Sequence, residues 1–308
     1  MAKKFHYGGQ AVLEGVMMRG RKSAAVAVRR PTGEIVVRHE PLGKWSTGRL
    51  VRMPFVRGPV VLVEALVLGM RALSYSASVA LEEEEEKKKV NPAVLWGTIA
   101  VGLALAVGLF VAFPLLIIHF IDPYVSATVS NVTDGVIRLI VFLIYLNAIS
   151  LIPDVRRVFS YHGAEHTTIN AYEAGEELEV DNVRRYGTVH TRCGTSFILM
   201  VLVIAIIAHA FLGRPPMWLR FLERLAILPL IGAFSYELLK LSADHIKNWA
   251  VRIAIIPGLM LQRMTTRRPD DSQLEVAIVA LKAVLGADAP DAQASPGEAP
   301  ALAADAIS

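Results

Sequence analysis

Residues 162–166 read His-Gly-Ala-Glu-His. On a helix, positions four apart share a face one turn apart, so His162 and His166 stand together with Glu165 beside them. This is the H-x-x-E-H order of inverted zinc proteases: two imidazoles to hold a divalent metal, and a carboxylate, Glu165, to take the proton of a water activated there. A metal site needs three or four convergent ligands. The expected third ligand is Glu237, 71 positions beyond His166, with His190 as the competing imidazole. Soluble enzymes with this motif also draw a glutamate from a later helix, a parallel by analogy only, since their fold is unrelated. Glu173 is a second carboxylate, suited to orient a ligand imidazole. Cys193, three positions after His190, is a thiolate ligand, a nucleophile or an inert packed thiol. Zinc is the default metal for a His/His/Glu set.

The elements that must position these groups are mostly apolar. The chain has 308 residues, of which 54% are hydrophobic, too many for an ordinary soluble enzyme and enough for several membrane spans. Val94–Ile118 is 25 residues without a charge, the clearest span. Three more are expected at about Val136–Ile152, Thr195–Leu212 and Leu222–Leu241, with Arg138 snorkelling at the outer end of the second. The N-terminus, the polar loop 153–194 and the C-terminal tail are basic, whereas Asp122–Asp134 has no Lys or Arg. The second outer loop, with Arg214 and Arg220, is a modest exception. The charge bias places both termini in the cytoplasm. It also brings the H-x-x-E-H run, His190, Cys193 and Glu237, with Asp244 and His245 just beyond, to the cytoplasmic membrane face. The basic excess, a net charge of +4, reads as this positive-inside flank and not as a nucleic-acid surface. A single cysteine rules out an internal disulfide, and the N-terminus lacks the apolar core of a signal peptide.

Residues 1–57 read as a cytoplasmic region with a β-hairpin, Ala24–Val28 against Glu34–Arg38 around Pro31-Thr32-Gly33. Before it, Gly8 to Gly20 holds four glycines whose spacing fits neither the Walker nor the dinucleotide pattern. Gln10 and Glu14 in this stretch are further site candidates. Glu14 is either a lid residue over the site or a turn carboxylate satisfied by Arg19. Residues 58–92 hold an amphipathic helix to about residue 81, with a seven-residue stripe of Arg57, Glu64 and Arg71, and then the charge run 82–89. The helix is read as interfacial or packed against the spans. The membrane domain covers 93–268, within which Trp249–Leu261, broken by Arg252, Pro257 and Gly258, is left at the interface. A short amphipathic helix occupies 269–285, and 286–308 reads as a disordered Ala/Pro/Asp tail.

Four runs carry a resemblance: Gly-Gly-Gln-Ala-Val-Leu-Glu-Gly-Val-Met-Met-Arg-Gly from Gly8, Tyr-His-Gly-Ala-Glu-His-Thr-Thr-Ile-Asn-Ala-Tyr-Glu from Tyr161, His-Thr-Arg-Cys-Gly-Thr-Ser-Phe from His190, and Leu-Gln-Arg-Met-Thr-Thr-Arg-Arg-Pro-Asp from Leu261. Together they resemble the YqhQ-like family of bacterial membrane proteins, a domain of unknown function. The resemblance covers roughly residues 5–285. It implies a multi-span inner-membrane protein, described as a predicted metal-dependent enzyme. Asn170 departs from the family pattern, which favours histidine there, so that position is not an obligatory ligand.

The expectation is an all-α polytopic membrane protein of about four spans with a small cytoplasmic α+β region. Its expected activity is metal-dependent hydrolysis of a peptide or lipid-linked substrate at the inner membrane face. A membrane scaffold or regulator is the second reading, and an ion or metal transporter the third. Charged, amide or imidazole side chains within the expected spans, with Arg138, Asn147, His209 and Glu237 the ones weighed, are few for a transport pathway.

Overall fold

The computed structural model describes residues 5–42, 53–80, 92–245 and 248–289. The charge run 82–89, the side chain of Asp244 and the tail from residue 290 lie outside the described residues. The fold is mostly helical, with a small antiparallel sheet at the N-terminus.

The sheet is a meander of β1 (Gly8–Val12), β2 (Gly15–Arg19), β3 (Ser23–Arg29) and β4 (Ile35–Pro41). The expected hairpin is β3–β4, in which Val28 pairs with Val36 and Gly33 turns the chain at φ 94°. The glycine-bearing run before it is a second hairpin, β1–β2, turning through Glu14 at φ 51°. Alternation then sorts the strands onto two faces. Val16, Met18, Ala25 and Ala27 pack in one core with α5 (Pro153–Ala174) and α11 (Asp271–Asp288). Val12, Met17, Ala24, Val26 and Val28 pack in another with Leu68, Ala72 and Val79 of α1 (Arg57–Ala80). Both faces being covered, β2 and β3 show no polar alternation.

Four helical stretches are long and apolar enough to cross a membrane: Arg57–Ala80, Ala100–Tyr124, Ala127–Ile149 and Met217–Ser242. Two differ from expectation. The first is α1, whose C-terminal half nonetheless lies on the sheet. Its charged stripe is wired to three places: Arg57 to Glu237, Glu64 to Arg19 and Arg71 to Glu40. The second is α4 (Ala127–Ile149), which starts nine residues before Val136 because Ser130, Asn131 and Asp134 are buried against other helices instead of forming a loop. Arg138 does not snorkel; it is buried and pairs with Asp134.

The second stretch is assembled from α2 (Pro92–Val107), a π-helical turn at Gly108–Ala112, and α3 (Phe113–Ile121). Pro114 cannot donate a backbone hydrogen bond, and a widened turn just before it relieves the mismatch. The apolar helix α7 (Gly194–Ala210), expected as the third span, has 17 residues, about 25 Å of rise, and is shorter than the four stretches above. The fourth stretch is α8 (Met217–Ala226) followed by α9 (Leu228–Asp244). Trp249–Thr265 is one helix, α10, through Pro257. Gly258 lets it lie on α7, since a Cβ there would come 3.0 Å from Ser196 Oγ. A short α6 (Val180–Val183) sits between α5 and α7. The helix expected at 269–285 is α11, capped by the Asp270–Gln273 box and running on to Asp288, whose carboxylate accepts the Arg21 and Lys22 amides.

Candidate functional site

The H-x-x-E-H run lies in the middle of α5, and helical spacing splits its side chains into two stripes. Arg157, Tyr161 and Glu165 face the first hairpin. Arg157 and Tyr161 both donate to the Glu14 carboxylate, and Glu165 Oε1 accepts the Gly9 amide at 2.9 Å. His162, His166 and Glu173 form the neighbouring stripe, which faces the segments before α7 and after α10. Gly163 lets the second of these approach. A Cβ there would fall 1.9 Å from the Arg267 carbonyl oxygen. The segment is pinned by the Arg267 amide donating to the Phe159 carbonyl, and its Thr265 carbonyl thereby reaches His162.

The two imidazoles are held in the same way. His162 Nδ1 lies 2.9 Å from the Thr265 carbonyl oxygen and His166 Nδ1 2.7 Å from that of Thr188. A carbonyl oxygen only accepts, so both Nδ1 atoms carry the hydrogen, and in the neutral rings both Nε2 atoms keep a lone pair. The ring centroids are 4.4 Å apart. Cys193, the N-cap of α7, places Sγ 3.3 Å from His162 Nε2 and accepts the Thr195 amide at 3.4 Å. One ligand atom each from His162, His166 and Cys193 lie within 4.8 Å of one another. Ligand atoms around a tetrahedral zinc are roughly 3.3–3.6 Å apart, from the usual Zn–N and Zn–S lengths. The Nε2–Sγ pair already has that spacing, and a set of two imidazoles and one thiolate suits zinc chemically. Imidazoles anchored through their distal nitrogen are also what a metal site requires of its surroundings.

His190 stands next to this group, its ring 5.7 Å from that of His166. Its Nε2 faces Glu173 Oε2 at 3.4 Å, and Arg192 closes on the other Glu173 oxygen. Glu173 was expected to orient a ligand imidazole; its partner is His190, which stands beside the His162–His166–Cys193 group and not in it. The His190 contact, helped by Arg192 and opposed by burial, holds the Glu173 carboxyl down at about 2. The loop is fixed by Gln262, fully buried on α10. Its Oε1 accepts the His190 amide at 2.9 Å, and its Nε2 donates to the His190 carbonyl and Ser196 Oγ at 2.8 Å each.

Three expected site residues are placed elsewhere. Glu237 does not join the histidines; Arg57 and the Phe55 amide occupy its carboxylate at the α1–α9 contact. Gln10 lies over Gly69 of α1, where a Cβ would meet its amide at 2.7 Å. Glu14 binds Arg157, not Arg19, which is taken by Glu64. Asn170 donates to the Gly187 and Val189 carbonyls and so shapes the loop that carries Thr188. Thr188, Thr265 and Gln262 were not expected at the site. They act through backbone carbonyls or a buried amide, for which spacing in sequence offers no signal.

The family described as "Protein of unknown function (DUF1385)" matches residues 53–287. The chain is 32% identical over 300 residues to the "Uncharacterized protein YqhQ" of Bacillus subtilis (strain 168), covering 92% of this chain and 93% of that one. No solved structure matches the chain.

Proposed function

The chain belongs to the DUF1385 family of proteins of unknown function, and from that premise we propose that it is an integral protein of the bacterial cytoplasmic membrane that holds one divalent metal, zinc by its ligand set, at His162, His166 and Cys193. Both termini, the sheet and α5 lie on the cytoplasmic side in this reading, and the site sits where α7 leaves the membrane. The observation that carries it is the matched anchoring of His162 and His166 through Nδ1 to the Thr265 and Thr188 carbonyls. Two buried or half-buried histidines whose tautomer is set by separate loops, beside a cysteine at a helix N-cap, form a ligand set and not a chance hydrogen-bond cluster.

The activity we assign is hydrolysis of a peptide or lipid-linked substrate at that membrane face. A zinc held by three protein ligands supplies Lewis acidity at its remaining position. Glu165, whose Oε1 accepts the Gly9 amide and so holds β1 against α5, is assigned the proton-accepting role on its place in the H-x-x-E-H order. Glu173 and Arg192 keep His190 in place beside the ligands.

The Glu165–Gly9 bond equally favours a second reading, a scaffold in which the polar cluster only ties the sheet to the helices. The pair Glu165→Gln and Glu165→Ala separates them. The glutamine oxygen still accepts the Gly9 amide, whereas alanine cannot. Hydrolysis predicts that both variants fail to complement a deletion strain, Glu165→Gln at normal abundance, because loss of a general base costs ~10²–10⁴ in rate. Full complementation by Glu165→Gln, with failure of Glu165→Ala, would establish the scaffold.

A further inference from the structure

At the end of α7 away from Cys193 lies a second polar group, buried among the apolar helices. Arg138 of α4 and Arg220 and Arg224 of α8 are 8%, 1% and 3% exposed. Arg220 donates to Asp122 Oδ2 and Ser130 Oγ at 2.8 Å and to Asn131 Oδ1 at 3.0 Å. Arg224 reaches Asn131 at 2.8 Å and Asp134 at 3.2 Å, and Arg138 shares that Asp134 oxygen at 3.2 Å. Asn131 donates to the Leu212 carbonyl at 2.7 Å, which ties the group to the end of α7. Arg214, at the rim, donates to the Asp122 and Val125 carbonyls. Four arginines thus share two carboxylates, Asp122 and Asp134, an excess of two positive charges.

Uncompensated charge in a low-dielectric setting is costly, and ionisable groups at membrane depth mark binding sites. Among the described residues, Nε of Arg138, Arg220 and Arg224, Nε2 of the nearly fully buried His209 and one acceptor, Asp134 Oδ1, have no hydrogen-bond partner within the protein. Buried donors left this way call for an acceptor.

The group adjoins an apolar groove of about 1100 Å³ between α3 and α8, lined by Phe113, Leu116, His119, Trp218, Phe221 and Leu222 among others. It runs along α3 from Gly108 to His119, about 16 Å at helical rise, and stops one turn short of Asp122. Helix α8 therefore turns its charged side inward and its aromatic side to the groove. Asp122, the carboxylate nearest the end of the groove, is already shared by Arg220, Ser130 and Arg214. We propose that this junction binds an anionic phospholipid, its tail in the α3–α8 groove and its phosphate received by Arg214 at the rim of the arginine cluster. A phosphodiester supplies negative charge to a cluster with more arginines than carboxylates, and the groove supplies the reason for a lipid over a free anion.

The inference rests on the membrane reading above, and cell fractionation separates the two: a chain recovered from the soluble fraction overturns that reading, whereas a membrane-bound chain leaves the lipid question to be measured. Detergent-purified protein would be tested by native mass spectrometry for retained lipid. Its thermal unfolding would then be followed with added phosphatidylglycerol, phosphatidylcholine or inorganic phosphate. Retained phosphatidylglycerol should exceed its share of the bilayer about fivefold, the factor expected from one added charge pairing. It should stabilise the protein where phosphatidylcholine does not. The exposed rim variant Arg214→Gln should lose that selectivity, and Ala112→Trp, which fills the groove, should lose the lipid while keeping the arginine network. Equal effects of the two lipids, or stabilisation by inorganic phosphate matching that of phosphatidylglycerol, would overturn the proposal.

Discussion

At the scale of single residues, the site is defined by what holds each imidazole and carboxylate. Glu173 illustrates this most simply. Its carboxyl is held at about 2, first by His190 and then by Arg192, against an ordinary value of 4.5. A depressed carboxyl stabilises the fold wherever the unfolded chain would already be ionised. The contribution is therefore complete above pH 4.5 and is lost as the pH falls towards 2. Glu173→Gln should cost about 1–2 kcal/mol at neutral pH, discounted for its partial exposure, and the gap from the wild type should close as the pH falls through that window. Denaturant titrations of both proteins at several pH values check this, and a gap independent of pH would show that packing, not charge, is what Glu173 contributes. The one-turn spacing of His162 and His166 was legible in the sequence. The place of Glu237 was not: it was expected as a third ligand by analogy and by its position near a span end, but Arg57 claims it. Cys193 was recognised as a possible thiolate, and only the fold brings it to His162.

At the scale of elements, legibility followed composition. The β3–β4 hairpin was legible from two β-prone runs around a Pro-Thr-Gly turn, although its strands run longer and pair in a register that those runs did not specify. The β1–β2 hairpin was hidden because its glycines imitate a loop and both faces of β2 are covered. Helix α5 was legible only at the H-x-x-E-H run, within a stretch otherwise read as a polar loop, since it buries Glu165, His166, Thr167 and Thr168 where a core helix ordinarily buries aliphatic residues. Helix α10 was hidden by Pro257. The Arg57–Glu237 pair joins α1 to α9, with both side chains mostly buried. Removing one partner leaves the other charge unpaired. Arg57→Met or Glu237→Leu alone should destabilise by about 1–3 kcal/mol, and the double variant by less than the sum. Additive losses in thermal unfolding would mean that the pair contributes nothing to the α1–α9 contact.

At the scale of the whole molecule, α7 separates two unlike polar centres by about 25 Å. One end carries Cys193 and the histidine stripe under the sheet, and the other meets the arginine group. Arg214 and Arg220, exceptions to the charge bias along the chain, are explained by that group: they are there to meet Asp122, so they weigh little in deciding which side faces the cytoplasm. The central claim is that the fold gathers His162, His166 and Cys193 to hold a metal. Metal analysis of detergent-purified protein tests it most directly. The wild type should carry about one zinc or similar ion per chain, and His162→Ala, His166→Ala and Cys193→Ser should each lower affinity by well over tenfold. Glu237→Gln should keep the metal, since its carboxylate belongs to Arg57. Equal metal content in the wild type and the His162→Ala/His166→Ala double variant would contradict the account, as would loss of the metal on Glu237→Gln alone.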